Sequence, residues 1–433
     1  MAEYIGQKIH KLPTPSAVIS RPVLEKNCSR VLQAVDALSV GFRPHVKTHK
    51  TVEVSRLQLG HKARGGKVVV STVKEAEGLG PLIVEGVIKD AHAKILYGIP
   101  IPASSIHRLQ GLEESYPGLE ISVLVDHPAQ VRALKTAGAH WSVYVKLDMG
   151  TRRAGIEHDS PAFGKLLECI KESSIGLVGF YCHAGHSYSV SDSDGALDLL
   201  RKEVDVAVYA AGKAEAQGIS PPQCTGWTLS VGATPTIIST AGAGIPGQVQ
   251  PKLQRMISFF SGLREKGMHV EFHAGVYTML DLQQLSTHAS TTAPDGLTTS
   301  DLALTILAEV VSLYPHRGTG GGNEALINVG TVGLGREPGR AHPGWGTVSD
   351  WRAENEAEFE HELEGAGWVV GRISQEHGIL TEVPYGNVGS VRLGSKVRIW
   401  PQHACIAGSG HERYFVVDEE EVVVGVWARW RGW

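Results

Sequence analysis

The sequence Ser142-Val143-Tyr144-Val145-Lys146-Leu147 is a short β-rich run, and Gly176-Leu177-Val178-Gly179-Phe180-Tyr181 is the next one along the chain. Between them, Pro161–Glu172 has the apolar spacing of an amphipathic helix. The same order then repeats, with a helical pattern at Leu197–Gln217 followed by a β-rich run at Thr225–Val231. Strand–helix alternation of this kind predicts parallel βαβ units, from which α/β folds are built.

The alternation extends outward from this stretch over most of the first 275 residues. Eight parallel strands, each followed by a helix, favour a closed (β/α)8 barrel over an open sheet. We therefore predict an α/β fold whose N-terminal domain, residues 21–275, is a TIM barrel. The eight β-rich runs are Arg43–Lys47, Lys67–Ser71, Lys94–Tyr97, Glu120–Val125, Ser142–Leu147, Gly176–Tyr181, Thr225–Val231 and His269–Phe272.

The character of the sequence changes after residue 275. Alternating strand-like runs lie between Gly- and Pro-rich turns, and helical patterns are few apart from an acidic stretch at Glu354–Glu364. This predicts a C-terminal, mainly antiparallel β domain over residues 276–433, to which residues 1–20 are expected to add a strand. Its clearest runs are Leu304–Leu313, Glu324–Val329, Lys396–Trp400 and Tyr414–Val417.

The composition excludes several classes of protein. With 42% hydrophobic and 20% charged residues, the chain is typical of a globular protein rather than a disordered one. The 41 basic and 45 acidic residues leave no basic surface for nucleic acid or for an anionic membrane. No secretory signal, no membrane-spanning apolar run and only five cysteines are present, so we expect a cytoplasmic protein. The 20 histidines are many for this length, and histidine is a common metal ligand and acid–base group.

A basic segment, Arg43-Pro44-His45-Val46-Lys47-Thr48-His49-Lys50, falls on the first predicted barrel strand. Strand alternation places His45, Lys47 and His49 on one face. Lys47 closes the strand at the end where barrel active sites are built. Lysine forms Schiff bases with carbonyl compounds, so Lys47 is a candidate catalytic amine. The alternative is an exposed lysine among other basic residues.

Two loops are placed to bind a phosphate group. Ser230-Val231-Gly232-Ala233-Thr234-Pro235-Thr236 follows the seventh predicted strand, and His273-Ala274-Gly275-Val276-Tyr277 follows the eighth. Barrels often bind phosphate with the loops at these two positions. Small and hydroxyl-bearing residues there offer backbone N–H groups and hydroxyls to an anion. Either loop alone is compatible with a plain turn, but together they favour a phosphorylated cofactor.

A metal site is predicted within Trp400-Pro401-Gln402-His403-Ala404-Cys405. On a strand, His403 and Cys405 would project to one face with α-carbons about 6.7 Å apart, a gap that one zinc ion can bridge. Two protein ligands leave positions for water and substrate, which is the pattern of a catalytic metal. The alternative is a buried cysteine beside an unrelated histidine. The loop Tyr181–Tyr188 also holds histidines and a cysteine, but we interpret it as lining a cofactor, because adjacent strand side chains point in opposite directions.

Five short motifs, each weak alone, follow one another along the chain. They are Arg43–Lys50, the Tyr181–Tyr188 loop, Gly275-Val276-Tyr277 with Asp281, Glu376-His377-Gly378, and Pro401-Gln402-His403-Ala404-Cys405. In this order they resemble the eukaryotic-type D-serine dehydratases, alanine-racemase-like (fold type III) enzymes that use pyridoxal 5'-phosphate (PLP) and are related to D-threonine aldolase. The resemblance covers nearly the whole chain. It implies a PLP-binding barrel, a C-terminal β domain, a small D-amino acid substrate and a homodimer.

The resemblance also implies roles for individual residues in cofactor binding. Lys47 would form the Schiff base with PLP and act as the base at the substrate Cα. Tyr181 would face the pyridine nitrogen, and Tyr188 would line the cofactor. The phosphate would be held by Thr234, Gly275 and Val276.

His403 and Cys405 would bind Zn²⁺, which would assist the departure of hydroxide in a β-elimination of D-serine to pyruvate and ammonia. One position departs from the family pattern, since Ala233 stands where a hydroxyl residue is expected. A backbone N–H would then have to supply that phosphate contact. No further protein ligand to the metal can be assigned from the sequence.

Three other kinds of protein, two enzymes and one non-catalytic protein, fit parts of the pattern. D-threo-3-hydroxyaspartate dehydratase can also carry His-x-Cys, whereas D-threonine aldolase resembles His-x-Asp where this chain has His403 and Cys405. A thiolate favours zinc and a carboxylate favours harder ions, so Cys405 favours a dehydratase. A non-catalytic PLP-binding homeostasis protein would be a barrel alone, which disagrees with the predicted β domain. The preference among D-serine, D-threonine and D-threo-3-hydroxyaspartate stays open.

Overall fold

The structure, a computed structural model, describes residues 2–60, 66–85, 93–222, 226–292, 296–351, 361–386 and 388–433. The chain divides into two compact units. The barrel unit comprises Cys28–Tyr277, Thr287–Gly296 and Trp430–Trp433, and the β unit comprises Met1–Asn27, Thr278–Ser286 and Leu297–Arg429.

Strands and helices alternate through the barrel unit, and strands dominate the β unit. The strands are β1 (Ser16–Ser20), β2 (Gly41–Phe42), β3 (Val68–Val70), β4 (Ala93–Pro100), β5 (Leu119–Val125), β6 (Ser142–Lys146), β7 (Leu177–Tyr181), β8 (Trp227–Val231), β9 (Met268–Phe272), β10 (Leu304–Tyr314), β11 (Glu324–Ile327), β12 (Gly346–Val348), β13 (Glu362–Leu363), β14 (Gly367–Ile373), β15 (Gly378–Val383), β16 (Val391–Arg392), β17 (Lys396–Pro401), β18 (Arg413–Val417) and β19 (Val423–Ala428). The α-helices are α1 (Arg21–Leu38), α2 (Val52–Leu59), α3 (Val73–Gly78), α4 (Gly80–Val84), α5 (Ala103–Ser115), α6 (Pro128–Thr136), α7 (Pro161–Ser173), α8 (Ser193–Ala216), α9 (Thr234–Ile238), α10 (Pro251–Glu265), α11 (Leu282–Leu285), α12 (Thr331–Leu334) and α13 (Ala404–Ser409).

The barrel unit is built on an eight-stranded parallel sheet of order β2-β9-β8-β7-β6-β5-β4-β3. Strands β3 to β9 follow one another in chain order, and β2 pairs with β9. Between β2 and β3 the ring is bridged by one parallel pair, His45 with Val69. The predicted α/β barrel of eight parallel strands is confirmed.

The first barrel strand is shorter than predicted. The regular strand β2 covers only Gly41–Phe42, before the predicted run Arg43–Lys47. Hydrogen bonds on the β9 side continue through this run, since Arg43 N donates to Phe272 O and His45 N donates to Ala274 O, both at 2.8 Å. Pro44 has no N–H to donate on the opposite side. After His45 the chain leaves the sheet in a turn over residues 47–49.

Among the described helices, α8 is the longest, at 24 residues. Asp192 caps it, because its carboxylate accepts a hydrogen bond from Gly195 N at 2.6 Å. Buried positions such as Leu200, Glu203 and Ala207 recur every three or four residues and pack on β7 and β8. Glu203 is the only charged residue among those buried positions. Neither α8 nor any other described helix is long and apolar enough to cross a membrane.

The β unit is built on a nine-stranded sheet of order β11-β15-β14-β12-β17-β10-β1-β18-β19. β1 pairs antiparallel with β10 and parallel with β18, while the other ladders of this sheet are antiparallel. Residues before 21 therefore contribute a strand to this sheet. The mainly antiparallel character predicted for the C-terminal part is confirmed, while the exact boundaries 21–275 and 276–433 stay a prediction.

A helix is expected over the acidic stretch Glu354–Glu364. Most of it lies outside the described residues, but Glu362–Leu363 forms β13 and pairs with β16 in a separate two-stranded sheet. Glu362 also lies 3.0 Å from Arg392 Nε on the opposite strand. Such cross-strand charge pairs favour strand over helix at this point.

Candidate active site

Lys47 lies half-buried in the turn that follows the first barrel strand. Because the chain turns at this point, strand alternation ends at His45. The buried His49 ring lies instead with its Nε2 3.0 Å from Gln58 Oε1 on α2. The prediction that His45, Lys47 and His49 share one strand face is therefore wrong.

Two buried imidazoles, His45 and His273, and the half-buried imidazole of His183 interact electrostatically with Lys47. Burial lowers the pKa of His45 and His273 well below the ordinary value and lowers the pKa of His183 to about 3, and the positive charge of Lys47 adds to the effect. At neutral pH the three rings are therefore uncharged, and each offers one N–H donor and one acceptor nitrogen.

Tyr181 and His273 form a stacked pair beside these groups. Their ring centroids are 4.0 Å apart and their planes differ by 9°. His273 Nδ1 lies 3.1 Å from Ser230 Oγ, whereas its buried Nε2 has no partner in the described part of the chain. A buried nitrogen without a partner costs about 1–3 kcal/mol, so this atom fits a site completed by a ligand.

The two predicted phosphate loops also fit a ligand. Thr234, the first residue of α9, is buried, and its Oγ1 has no partner within the described ranges. A side chain at Gly275 would meet His45 O at 3.1 Å, so glycine lets the loop after β9 lie against the Lys47 segment. Ala233 N donates to Thr236 Oγ1 at 2.9 Å and is not free to replace the missing hydroxyl. The residues present therefore fit a phosphorylated cofactor, but the Ala233 N–H is not the group that replaces the missing hydroxyl.

Tyr188 and Val276 occupy short 3-10 turns. Tyr188 is half-buried within Gly185–Ser189, and Val276 is buried at the start of Val276–Thr278. The cofactor roles of both residues stay predictions.

Two charged residues of the barrel unit, Lys146 and Glu203, were not selected from the sequence. Lys146 ends β6, its Nζ donates to Leu147 O at 2.8 Å, and burial lowers its pKa. Its Nζ also lies 5.6 Å from the centre of the Tyr181 ring. Glu203 accepts a hydrogen bond from Ala184 N at 2.7 Å. Both charges fall on positions that the strand and helix periodicities assign to the interior, which is the signal that could have identified them.

A buried carboxylate, Glu271, neutralises positive charge near the first barrel strand. Arg43 Nε lies 2.7 Å from Glu271 Oε1, and Lys67 Nζ lies 2.9 Å from Glu271 Oε2. Burial opposes ionisation of Glu271, but Arg43 and Lys67 together lower its pKa to about 2. Arg43 is thus part of an internal ion network.

In the β unit, His403 and Cys405 come together by a route other than the predicted strand. β17 ends at Pro401, His403 precedes α13, and Cys405 lies in the first turn of that helix. The expected strand geometry of this pair is therefore wrong, since Pro401 has no N–H to continue the ladder. The two side chains nevertheless form a hydrogen bond with each other.

Two carboxylates accompany this pair. His403 Nδ1 is hydrogen-bonded to Glu337 Oε2, and buried Asp281 accepts a hydrogen bond from Ala404 N at 2.8 Å. Burial of the His403 ring opposes its charge, but the hydrogen bond to Cys405 and the charges of Cys405 and Asp281 raise the pKa of His403 to about 10. Imidazole, thiolate and carboxylate are the ligands that zinc takes in proteins, so the chemistry of this cluster fits zinc.

A complete metal centre is not formed by these side chains. Over the described ranges, no group of three or more His, Cys, Asp or Glu residues is arranged to hold a metal ion. The assignment of His403 and Cys405 as ligands stays a prediction.

Comparison with known proteins places the chain among related enzymes. Residues 19–243 match the family model of the alanine racemase N-terminal domain, and residues 303–417 match a putative serine dehydratase domain. The chain is 36% identical over 441 residues to a D-serine dehydratase of Schizosaccharomyces pombe, covering 100% of this chain and 94% of that protein. It is 35% identical over 459 residues to a D-serine dehydratase of Saccharomyces cerevisiae, covering 100% and 99%. A variant of D-threo-3-hydroxyaspartate dehydratase solved in the metal-free form superposes with a TM-score of 0.76 at 26% identity, covering 99% of this chain and 100% of that one.

An eight-stranded parallel barrel followed in the chain by a mainly antiparallel β unit defines the alanine racemase-like class of enzymes. Within that class, the chain belongs to the D-serine dehydratase family. The predictions of this family and of an ammonia-lyase are confirmed.

Proposed function

We propose that this enzyme converts D-serine to pyruvate and ammonia by β-elimination, with PLP and zinc as cofactors. The observation that carries the proposal is the full-length similarity to two D-serine dehydratases, at 36% and 35% identity. The neutral imidazoles around Lys47 and the hydrogen-bonded His403 and Cys405 give it a chemical basis.

Lys47 is the residue proposed to hold PLP and to act as the base. When bound, PLP withdraws electron density from the substrate Cα and makes its proton acidic. Lys47 Nζ accepts that proton. Burial lowers the pKa of His45, His183 and His273, so these rings are weaker bases than an ordinary imidazole and do not take the proton in place of Lys47.

The remaining cofactor contacts are proposed for residues of three loops. Tyr181, stacked on His273, is assigned to the pyridine nitrogen, and Tyr188 to the cofactor lining. The unpartnered hydroxyl of Thr234 supports a phosphate contact there, and the close packing at Gly275 supports one from the loop after β9. The proposed phosphate set is Thr234, Gly275 and Val276.

His403 and Cys405 are proposed to bind Zn²⁺. When bound, zinc polarises the substrate hydroxyl and assists its departure. Glu337 accepts from His403 Nδ1, which orients the ring and leaves Nε2 for the metal. A related structure described as a metal-free form supports a metal site in this class of enzyme.

The test is product analysis with three substrates. The enzyme loaded with PLP and zinc is expected to form pyruvate and ammonia from D-serine. Glycine from D-threonine would identify an aldolase instead and would contradict the proposal.

A second candidate activity is favoured by the superposition on D-threo-3-hydroxyaspartate dehydratase. A higher kcat/KM for D-threo-3-hydroxyaspartate than for D-serine would identify it.

We also propose a cytoplasmic homodimer, and a mass equal to one chain in light scattering would contradict the dimer.

A further inference from the structure

Glu203 lies where a charged group is costly. It is 0% exposed on the face of α8 that packs on β7 and β8, among apolar residues such as Leu200 and Val204. A carboxylate taken out of water without partners is strongly disfavoured. The hydrogen bonds that Glu203 accepts must therefore offset this cost, and the positions of their donors indicate its role.

The donors to Glu203 come from two different loops. Ala184 N, after β7, donates to Oε1 at 2.7 Å, and Gly232 N, after β8, donates to the same oxygen at 3.3 Å. Oε2 accepts from Thr236 Oγ1 at 3.4 Å. One carboxylate thus joins the loop proposed to line the cofactor to the loop proposed to bind its phosphate.

The same two loops meet at a second point. His183 Nδ1 lies 2.8 Å from Gly232 O, and the unpartnered Oγ1 of Thr234 lies two residues further along the chain. A change in the spacing of the loops therefore moves both the His183 ring and the Thr234 hydroxyl. Glu203 acts on this spacing through backbone groups without touching the cofactor itself.

Among the described residues, three titratable groups interact electrostatically with Glu203, namely Lys146 from β6, Tyr181 from β7 and Cys182 after β7. Burial raises the pKa of Glu203 to about 7, against the hydrogen bonds from Ala184 and Gly232 and the charge of Lys146. Its protonation therefore changes near neutral pH. Like charges disfavour each other's ionised forms, so a phosphate on the adjacent loop would favour the protonated carboxyl.

We propose that Glu203 is a positioning residue that sets the separation of the two cofactor loops, and that it takes up a proton when the cofactor phosphate binds. The inference rests on the proposed function, because it requires a phosphorylated cofactor at the Thr234 loop. The proton comes from solvent and is returned when the cofactor leaves.

The experiment compares PLP with pyridoxal, which has the aldehyde but lacks the phosphate. Dissociation constants of both are measured on the full chain on either side of neutral pH for the wild type, Glu203→Gln and Glu203→Ala. The control is Glu215→Gln, an exposed carboxylate of α8 that accepts from Trp227 Nε1 at 2.7 Å, at the start of β8.

In the wild type, the ratio of the PLP to the pyridoxal dissociation constant is expected to rise with pH, because ionised Glu203 repels the phosphate. Glu203→Gln keeps the acceptor oxygen but cannot ionise, so this rise is lost. Glu203→Ala loses the hydrogen bonds and weakens PLP binding roughly 10- to 100-fold. Glu215→Gln follows the wild type.

A Glu203→Gln variant with the same pH profile as the wild type would overturn the proposal, even if Glu203→Ala does not fold. A wild type that binds no PLP would instead overturn the proposed function, and this inference with it. The two failures are therefore distinguishable.

Discussion

Lys47 and Lys50 are three residues apart and have different partners. Lys50 Nζ lies 3.1 Å from buried Glu75 Oε1, whereas Lys47 faces neutral imidazoles. A lysine beside neutral rings keeps its amine accessible for chemistry, while an ion-paired lysine is held as a charged structural group. Lys47 is therefore a candidate reactive amine, whereas Lys50 is a structural group.

Lys47→Ala is expected to abolish both D-serine turnover and the visible absorption of the lysine-bound cofactor, because the amine proposed to hold the cofactor is removed. Lys50→Arg keeps the charge and is expected to retain the absorption band. The measurement is the absorption spectrum after addition of PLP and removal of excess. An unchanged spectrum in Lys47→Ala would contradict the role of this lysine.

Glu337 is the residue whose role in zinc binding is most easily isolated. It accepts from His403 Nδ1, and loss of such a partner typically costs about 10- to 100-fold in metal affinity. Glu337→Gln is expected to weaken zinc binding by that factor, measured by equilibrium dialysis, while the control Glu412→Gln, an exposed carboxylate of the same unit, is not. Equal zinc affinity in the two variants would refute the orienting role.

At the scale of elements, the barrel ring is weakest between β2 and β3, where one residue pair bridges it. Glu271 on β9 links the two sides of this junction through ion pairs. It binds Arg43, which follows β2, and Lys67, which precedes β3. Buried charges of this kind stabilise only as a complete set, because removing one leaves the others unpaired.

Glu271→Gln is expected to lower the free energy of unfolding by about 3–5 kcal/mol at neutral pH. The pKa of Glu271 falls from 4.5 to about 2 on folding, so its contribution is complete above pH 4.5 and is lost as the pH falls towards about 2. Urea unfolding at a series of pH values measures this, and the variant should lose the part of the acid dependence that Glu271 contributes.

The matched control is Glu120→Gln, whose carboxylate pairs with Lys94 across β4 and β5 while 43% exposed. An exposed pair contributes about 1 kcal/mol or less. Similar losses in Glu271→Gln and Glu120→Gln would show that the network at the β2–β3 junction is not a special stabiliser.

Local sequence patterns predicted most elements but failed at the first barrel strand and at Pro401. The other seven barrel strands follow from apolar runs, because a strand buried on both faces requires them. The first regular barrel strand is Gly41–Phe42 and precedes the predicted run, while Pro401 ends β17 before His403. At Pro401 the missing N–H outweighs the propensity of the neighbouring residues.

At the scale of the whole molecule, the proposed chemistry is divided between the two units. Lys47 and its imidazoles belong to the barrel unit, whereas His403 and Cys405 belong to the β unit. Binding of the organic cofactor and binding of the metal are therefore expected to be separable.

Removal of zinc with a chelator is expected to abolish pyruvate formation while the PLP absorption remains. Cys405→Ala should show the same loss, whereas Cys169→Ala, a half-buried thiol of α7, should not. Metal analysis, absorption and pyruvate assay on the same samples decide the outcome. Full activity without metal would remove zinc from the mechanism.

The amino-acid sequence alone was enough to predict the barrel, the family and the candidates Lys47, Thr234, His403 and Cys405, because each depends on local periodicity or on a short motif. The hydrogen-bond and ion-pair partners of Glu203, Glu271 and Glu337 could not be predicted in this way. Each of these carboxylates meets groups 19 to 228 residues away in the chain. Whether a buried charge is paired, and hence where its proton is held, depends on which distant elements pack around it, and that is a property of the folded chain.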